Sequence, residues 1–542
     1  MTMAEGQQHL DWMNEKLDLG LSFIKGQVTI DGKIDGQSEN QYQQAIYDLA
    51  VSKAEIECAQ AFLANAASGT AFDASMASTF AAQMIHQVSS RLGSSDDFGL
   101  AHETIRLPEG TRLFCSRLLS HGNLAELGEQ LIQRQGDLGR RGLELEKQLM
   151  ADTFRQFAEE VVGPLAEQIH RQDLIIPDAI LDGLRELGCF GLSVPEQYGG
   201  LLPDDREDSL GMIVVTEELS RVSLGGAGSL ITRPEILSRA LMEGGTPEQK
   251  QHWLPRIASG DTLCAVAITE PDFGSDVASV KLKATMTEAG WLLNGEKTWC
   301  TFAGKAHVLL TLARTEADTA LGHRGLSLFL VEKPSSGDNE FEVVQPQGGE
   351  LSGKAISTIG YRGMHSYQLF FKDYLVPHSH VIGEGQGLGK GFYFTMRGFT
   401  GGRIQTAARA CGVMQGAFDQ ALRYACDRKV FAEPIADFPL SKIKLVKMAM
   451  AVAAGRQFTY AVGRLMDQGK GQMQASLVKL ITCKSAEWVT RQAMQLHGGM
   501  GYAEEVAVSR YWLDARVLSI FEGTEETLAL KVVGRRLVEQ AR

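Results

Sequence analysis

A glutamate near the end of the chain has the surroundings of a catalytic base. In Ile520-Phe-Glu-Gly-Thr524, Thr524 is a good N-cap for a last helix, so Glu522 lies on the loop just before that helix. An apolar setting beside Ile520 and Phe521 would desolvate the carboxylate, raise its pKa and strengthen it as a base. Taken alone, the segment fits a solvated loop glutamate better.

The segment Ala267-Ile-Thr-Glu-Pro-Asp-Phe-Gly-Ser-Asp276 has groups suited to a ligand with phosphates and a planar ring. Backbone N–H groups around Gly274 and the hydroxyl of Ser275 could meet a pyrophosphate, as in other anion-binding nests. Thr269 offers a hydroxyl to the edge of a heterocycle. The same residues also fit a polar turn at the end of a strand.

A third segment, Lys297-Thr-Trp-Cys-Thr301, places an indole beside a hydroxyl. On an extended segment, Trp299 and Thr301 point to the same side because side chains alternate with a period of two. Such a pair could hold a planar ring and hydrogen-bond one of its nitrogens. By the residues alone, a Trp-Thr pair that packs on a strand face is favoured over that ligand site.

Two kinds of periodicity indicate the elements that position these segments. Apolar residues recur at threes and fours before residue 260 and after residue 390, which predicts helices. The predicted C-terminal helices form an antiparallel bundle and cover 391–426, 436–469, 473–499 and 525–541. The predicted domains are a helical extension, a helical domain, a β domain and a C-terminal bundle, at 1–140, 141–260, 261–385 and 386–542.

The β domain is indicated by short apolar runs bounded by Gly, Pro and Asp. The Asn294-Gly295 dipeptide between extended segments predicts a hairpin turn. The remaining predicted strands are 308–313, 326–331, 341–344 and 367–371.

Composition excludes several classes of protein. A hydrophobic content of 44% and a charged content of 22% are those of a globular chain with a large core. A net charge of -13 argues against binding to DNA or to an anionic membrane. The eight cysteines have no metal-ligand spacing, so we expect reduced thiols and no metal site. We expect no signal peptide, no transit peptide and no membrane span, and hence a cytoplasmic protein.

Together, the three segments resemble the acyl-CoA dehydrogenase family over about 145–542. The family's C-terminal signature is matched at its spacing, whereas bulky Phe273 stands where the family has a small residue. The matching signature positions are Gln495, Gly498, Gly499, Gly501, Glu505, Arg510 and Asp514. The resemblance implies an α+β fold with an N-terminal helical domain, a middle β-barrel domain and a C-terminal four-helix bundle, preceded here by the extra helical extension.

The resemblance also implies FAD as cofactor and assigns roles by matching positions. Glu522 matches the catalytic base, Ser275 lies where the family contacts both FAD and CoA, and Arg403 matches an arginine near the base. Arg428 and Phe431 resemble residues that reach the FAD of a neighbouring subunit, which implies a homodimer or tetramer. The remaining matches to FAD contacts are Thr269, Trp299, Thr301, Gln495, Gly499 and Thr524.

The chemistry implied by the resemblance is α,β-dehydrogenation of an acyl-CoA thioester. Glu522 removes the α proton while the β hydrogen leaves as hydride to the flavin. The backbone N–H of that glutamate and a ribityl hydroxyl stabilise the developing enolate. Electrons then pass to an electron-transfer flavoprotein.

Two features indicate the substrate within the family. The long extension, together with Ile359-Gly-Tyr-Arg-Gly-Met-His365 and Asp514-Ala-Arg-Val-Leu-Ser-Ile-Phe-Glu522, resembles the branch that converts (2S)-methylsuccinyl-CoA to mesaconyl-CoA in the ethylmalonyl-CoA pathway. A free carboxylate in a buried pocket needs a cation. Arg233 is the candidate, with Arg362 and His365 as alternatives; for any single one of them, a surface salt bridge is favoured.

Three other functions stay open from sequence alone. The first is dehydrogenation of another short-chain or branched-chain acyl-CoA. The second is a non-catalytic flavoprotein of the same fold that binds nucleic acid, although the acidic charge and Glu522 argue against it. The third is an acyl-CoA oxidase, in which oxygen reoxidises the flavin.

Overall fold

Helices from both ends of the chain pack into one compact unit. The computed structural model describes residues 3–542, apart from the side chains at positions 102 and 400. The first unit combines residues 3–149 with 406–542, and the second unit comprises residues 150–405. The boundary at 405 falls inside the long helix Gly391–Asp427.

The N-terminal part of the first unit is helical, as predicted. Helix Gln43–Ala66 is well enclosed, and its residues Leu49, Ala50 and Ile56 are fully buried. A capping box between Thr70 and Asp73 begins the next long helix. The helices here are Met3–Val28, Gly36–Gln41, Gln43–Ala66, Ala71–Leu92, His102–Ile105, Glu109–Leu118 and His121–Gln133. A small hairpin joins the first two, with strands Thr29–Ile30 and Lys33–Ile34.

The C-terminal part of the first unit is also helical. Its helices are Pro439–Asp467, Gln472–His497, Ala507–Leu518, Glu525–Thr527 and Arg535–Gln540, with a wider helical turn at Leu528–Gly534. Helix Gln43–Ala66 packs against the first two of these and against the wider turn. The N-terminal extension therefore shares its hydrophobic core with the C-terminal helices and is not a separate module.

The second unit begins with helices that lead into a sheet. A capping box between Thr246 and Gln249 begins the last of them. The first helix, Leu145–Phe157, crosses the boundary at 149/150. The others are Gly163–Arg171, Asp178–Glu186, Ser209–Val222, Thr232–Gly244 and Pro247–Ala258.

The predicted β domain is a curled sheet of eight strands. In chain order they are β1 (Cys264–Ala267), β2 (Lys283–Thr287), β3 (Gly290–Thr301), β4 (Val308–Arg314), β5 (Leu326–Glu332), β6 (Glu340–Val344), β7 (Glu350–Ile356) and β8 (Ser366–Val376). The spatial order is β1-β4-β2-β3-β8-β7-β6, and β5 pairs with β4. The pairing of β1 with β4 is parallel, whereas β3 pairs with β8 in antiparallel fashion.

The hairpin predicted at Asn294-Gly295 is wrong. Both residues lie inside β3, and the turn between β2 and β3 comes six residues earlier, at 288–289, where Thr287 pairs with Gly290. Asn294 instead faces an irregularity in β8, where its side chain donates to the carboxylate of Asp373 at 2.9 Å and accepts from the backbone N–H of Asp373 at 3.0 Å. Sheet pairing on both sides of the dipeptide overrides its local turn preference.

Candidate active site

Strand β1 ends in a turn that carries Thr269. The carboxylate of Glu270 fixes this turn by accepting hydrogen bonds from the backbone N–H groups of Lys281 at 2.6 Å and Leu282 at 2.7 Å. The backbone carbonyl of Thr269 accepts from the N–H of Thr298 at 2.9 Å. The predicted segments around Thr269 and Trp299 are thus adjacent in space.

A buried ion pair joins the two segments. The ammonium group of Lys297 donates to the carboxylate of Glu270 and to the carbonyl of Ile268, both at 2.8 Å. Burial lowers the pKa of Lys297, and the neighbouring charge of Glu270 opposes that effect. Because Lys297 is fully buried, the pair is a fixed structural element rather than a surface contact.

Trp299 lies in a bulge near the end of β3. The register shifts between Tyr367 and Leu369 of β8, and Trp299 has a φ of 55°. The unbroken alternation assumed from the sequence therefore does not hold here. The indole is 55% exposed, whereas Thr301 is 8% exposed and its hydroxyl lies 2.9 Å from that of Ser366.

The turn after Thr269 is open. Ser275 and Gly274 are exposed, and a Cβ added to Gly274 would lie 3.8 Å from the Thr269 methyl group. The turn could therefore approach a ligand with its backbone. The exposed indole, the hydroxyls of Thr269 and Thr301, and this turn together offer a flat apolar surface with polar groups at its edges.

In the other unit, Glu522 lies on a short loop just before the last helical segment. Lys479 braces the loop, donating to the carbonyls of Phe521 at 2.7 Å and Gly523 at 2.5 Å on either side of the glutamate. Thr524 is the N-cap, as predicted, and accepts from the N–H of Thr527 at 3.3 Å.

The conformation of Glu522 is unusual for a residue with a side chain. Its φ is 56°, in the left-handed region that disfavours most side chains. The glutamate is half-buried within its unit, and no described residue donates a hydrogen bond to its carboxylate or pairs with it. A carboxylate without an internal partner keeps its lone pairs available for a proton.

Sequence reasoning missed Lys479 and Arg409. The buried guanidinium of Arg409 lies 4.8 Å from the ring centre of Phe521 and holds the other side of the loop. Both cations interrupt otherwise apolar helix faces, such as Leu477-Val-Lys-Leu480. A lone buried cation in an apolar helix is therefore the signal that could have found them.

The residues expected to reach a neighbouring subunit are on the surface of the first unit. Arg428 precedes a tight hairpin, and the turn of that hairpin leaves Phe431 94% exposed with a φ of 51°. Gln495 and Gly499 are exposed where helix Gln472–His497 ends.

The cations considered for a substrate carboxylate have different surroundings in the second unit. Arg233 is 5% exposed at the start of helix Thr232–Gly244 and donates to the carbonyl of Ser229 at 3.3 Å. Arg362 donates to the carbonyls of Thr358 and His170, at 3.1 and 2.9 Å. Arg403 is half-buried in helix Gly391–Asp427.

Arg362 and His365 both face one carboxylate. The Asp173 oxygen lies 3.4 Å from Arg362 Nε and 3.2 Å from His365 Nε2. The charge of Arg362 is therefore matched within the protein.

The predicted site residues belong to two units. Those of residues 150–405 are Thr269, Ser275, Trp299, Thr301, Arg233 and Arg403, and those of the other unit are Arg428, Phe431, Gln495, Gly499, Glu522 and Thr524. Within the described residues, no cluster of three or more His, Cys, Asp or Glu could hold a metal ion, and no helix has the length and apolar character needed to cross a bilayer. All eight cysteines are free thiols.

Comparison with known proteins gives the family. Models of the acyl-CoA dehydrogenase N-terminal, middle and C-terminal domains match residues 144–261, 265–374 and 389–538. A (2S)-methylsuccinyl-CoA dehydrogenase of Cereibacter sphaeroides is 39% identical over 431 residues, which cover 78% of this chain and 76% of that protein.

Two solved structures share the fold. Butyryl-CoA dehydrogenase from Megasphaera elsdenii has a TM-score of 0.66 at 30% identity and covers 73% of this chain and 99% of its own. A glutaryl-CoA dehydrogenase with bound glutaryl-CoA has a TM-score of 0.65 at 27% identity, and the match covers 72% of this chain and 95% of its own.

This chain belongs to the acyl-CoA dehydrogenase family. It is a flavin-dependent oxidoreductase that acts on acyl-CoA thioesters, and its cofactor is FAD. The exposed indole of Trp299, with hydroxyls of Thr269 and Thr301 nearby, fits a planar flavin ring. The predicted family, fold, enzyme class and cofactor are thereby confirmed.

Proposed function

We propose that this protein dehydrogenates (2S)-methylsuccinyl-CoA to mesaconyl-CoA, a step of the ethylmalonyl-CoA pathway, and passes the electrons to an electron-transfer flavoprotein. The substrate differs from a simple acyl-CoA by a free carboxylate far from the thioester. The observation that carries the proposal is Arg233, a buried cation that has no acidic partner among the residues that the structure describes. The 39% identity to a methylsuccinyl-CoA dehydrogenase supports the same substrate.

Arg233 has an unmatched charge in a buried setting. Among the described residues, its one hydrogen bond goes to a neutral backbone carbonyl, and no carboxylate pairs with it. The nearest buried acid along the helix, Glu235, is paired with Arg239 at 3.0 Å. A buried charge that lacks a partner is costly, and the carboxylate of a substrate would supply the partner.

The alternative cations are less suited to this role. Arg362 and His365 share Asp173, and Arg362 also holds two backbone carbonyls. A substrate carboxylate would have to compete with Asp173 for them. We therefore assign the distal carboxylate to Arg233.

We assign the catalytic base to Glu522. Its carboxylate takes the α proton, the α and β carbons form the double bond, and the backbone N–H of Glu522 stabilises the enolate oxygen. FAD, when bound, accepts the β hydrogen as hydride. Trp299, Thr269 and Thr301 hold the ring, and Ser275 and Arg403 face the substrate. The remaining FAD contacts in the proposal are Arg428, Phe431, Gln495, Gly499 and Thr524.

The proposed enzyme works as a homodimer or tetramer. Phe431 is almost wholly exposed on a tight turn beside Arg428, as expected of side chains that contact a second copy of the chain. Binding to nucleic acid or to a membrane is not expected, and the cytoplasmic location stays a prediction.

The test is anaerobic titration of the purified FAD-loaded protein with acyl-CoA esters while flavin absorbance is recorded. We expect (2S)-methylsuccinyl-CoA to bleach the flavin at concentrations at which butyryl-CoA and isobutyryl-CoA do not. Bleaching by butyryl-CoA alone would assign a different acyl-CoA. Hydrogen peroxide release in air, without a flavoprotein acceptor, would assign an oxidase.

A further inference from the structure

The loop that carries Glu522 is held on both sides by different parts of the chain. Lys479 of the C-terminal bundle fixes the carbonyls of Phe521 and Gly523. The next anchor is Glu525, three residues after Glu522 in the first turn of the last helical segment. This second anchor involves the N-terminal extension.

Glu525 accepts two hydrogen bonds within one small cluster. The hydroxyl of Tyr47, in helix Gln43–Ala66 of the extension, donates to Glu525 Oε1. Lys484 Nζ donates to the same oxygen at 2.9 Å and to the Tyr47 hydroxyl at 2.7 Å. Burial lowers the pKa of Lys484, but its bonds to Tyr47 and Glu525 outweigh that effect and raise the pKa, so the ammonium stays charged.

The extension also holds the segment that follows Glu525. Lys531 pairs with buried Glu39 at 2.9 Å, and Lys25 donates to the carbonyl of Glu539 at 3.3 Å. Gly534 lies so close to Ile46 that an added Cβ would come within 2.3 Å of its side chain. The extension thus contacts the final segment at its beginning, middle and end.

A glutamate with positive φ keeps that conformation only where the residues around it are fixed. We propose that the N-terminal extension positions the catalytic loop, with Tyr47 as the positioning residue that acts through Glu525 on Glu522. This inference rests on the proposed role of Glu522 as the base. It gives the extension a catalytic purpose: without the Tyr47 bond, the anchor at Glu525 loses its link to the extension and is left with Lys484.

The test uses Tyr47→Phe in the full-length FAD-loaded enzyme, which removes the hydroxyl and keeps the ring. Stopped-flow bleaching by saturating (2S)-methylsuccinyl-CoA, or by the acyl-CoA that the titration identifies, is measured per bound flavin. We expect the limiting rate to fall about tenfold, because a small displacement of the base raises the barrier to proton removal. The KM for the acyl-CoA and the flavin content should change less than about twofold, since the ligand contacts are untouched.

Tyr42→Phe is the matched control. Tyr42 also belongs to the extension, but its hydroxyl bonds to Gln27 at 3.3 Å within the extension itself. We expect this variant to bleach at the wild-type rate. An unchanged rate per flavin in Tyr47→Phe, or equal losses in both variants, would overturn the positioning role.

Glu522→Gln separates this inference from the function on which it rests. If Glu522→Gln bleaches at the wild-type rate, the proposed base is wrong. If Glu522→Gln is inactive and Tyr47→Phe is unimpaired, only the role of the extension is wrong.

Discussion

The predicted site residues form two groups, the sheet half within residues 150–405 and the loop half around Glu522 in the other unit, and the two are held in different ways. On the sheet, Thr269 and Trp299 are fixed by a buried ion pair, Lys297 with Glu270, and by the pairing of β3 with β8 on both sides of the bulge. On the loop, Glu522 is fixed by single hydrogen bonds to its neighbours, including those from Lys479. A rigid surface suits a planar ring, whereas a proton acceptor needs a defined position and a carboxylate without a competing partner.

This difference predicts that substitutions in the sheet half and in the loop half change different measured properties. Loss of the sheet support should appear as lost stability and lost flavin. Loss on the loop should appear as a lower rate with the flavin still bound.

The largest effect is expected from Glu522→Gln. The amide cannot accept the α proton at a useful rate, so flavin bleaching should slow by about 10³–10⁴-fold while FAD stays bound. Stopped-flow absorbance and the flavin-to-protein ratio measure both quantities. Glu526→Gln, an exposed residue of the same helical segment, is the control and should keep the wild-type rate. Loss of flavin from Glu522→Gln would contradict the prediction that changes on the loop affect the rate alone.

Glu270→Gln tests the sheet half. It leaves the fully buried Lys297 without its counter-charge, and we expect a loss of about 3 kcal/mol of stability together with flavin release. Thermal unfolding and flavin fluorescence provide the measurement. The control is Glu296→Gln, next to Lys297 on β3, where the carboxylate accepts from the side-chain amide of Gln368 at 3.1 Å; it should cost less than about 0.5 kcal/mol. Full flavin retention with an unchanged melting temperature would exclude the ion pair as the support.

Arg233→Met tests whether residues of the unit that contains the sheet, 150–405, also determine substrate specificity. We expect kcat/KM for (2S)-methylsuccinyl-CoA to fall about 100-fold, because its carboxylate loses a buried counter-charge. The slow reaction with butyryl-CoA, which lacks that carboxylate, should change less than about threefold. The control is Arg397→Met, a surface arginine that is 60% exposed. Equal losses with both substrates would remove Arg233 from the specificity assignment.

The smallest effect concerns a second buried lysine of the sheet. Burial lowers the pKa of Lys333 from 10.5 to about 8, while its ammonium donates to the carbonyl of Gly304 at 2.8 Å. Between these two values the unfolded chain binds more protons than the folded one, so the unfolding free energy rises with pH there. We expect the melting temperature of the wild type relative to Lys333→Met to increase by a few degrees between pH 7 and pH 10. A constant difference would mean that Lys333 does not titrate in this range.

Much of the fold could be predicted because its signals are local. The capping residue Thr524 marks the beginning of a helix correctly, since an N-cap depends on the next three residues alone. The long apolar helices of the bundle were also predicted from their own periodicity. For the site, the types of Glu522, Trp299 and Thr269 pointed to the chemistry, although their roles stay a prediction.

What could not be predicted depends on partners distant in sequence. Asn294-Gly295 has the composition of a turn, yet strands on both sides make it part of β3. The bulge at Trp299 arises from register with β8, which no local pattern encodes. Lys479 contacts Phe521 of the Glu522 loop although the two are 42 residues apart in sequence. Tyr47 contacts Glu525 across a sequence separation of 478 residues. Such contacts exist only after the chain has folded.

The division of the chain also sets an order for biosynthesis. Residues 150–405 lie between the two parts of the first unit, so on the ribosome they can fold while the apolar faces of helix Gln43–Ala66 still lack their later partners. Exposed apolar surface of this kind favours aggregation, and chaperones bind it. Helix Gln43–Ala66 packs against its N-terminal neighbours early, but the surface that meets the C-terminal helices stays uncovered until residues after 405 are made.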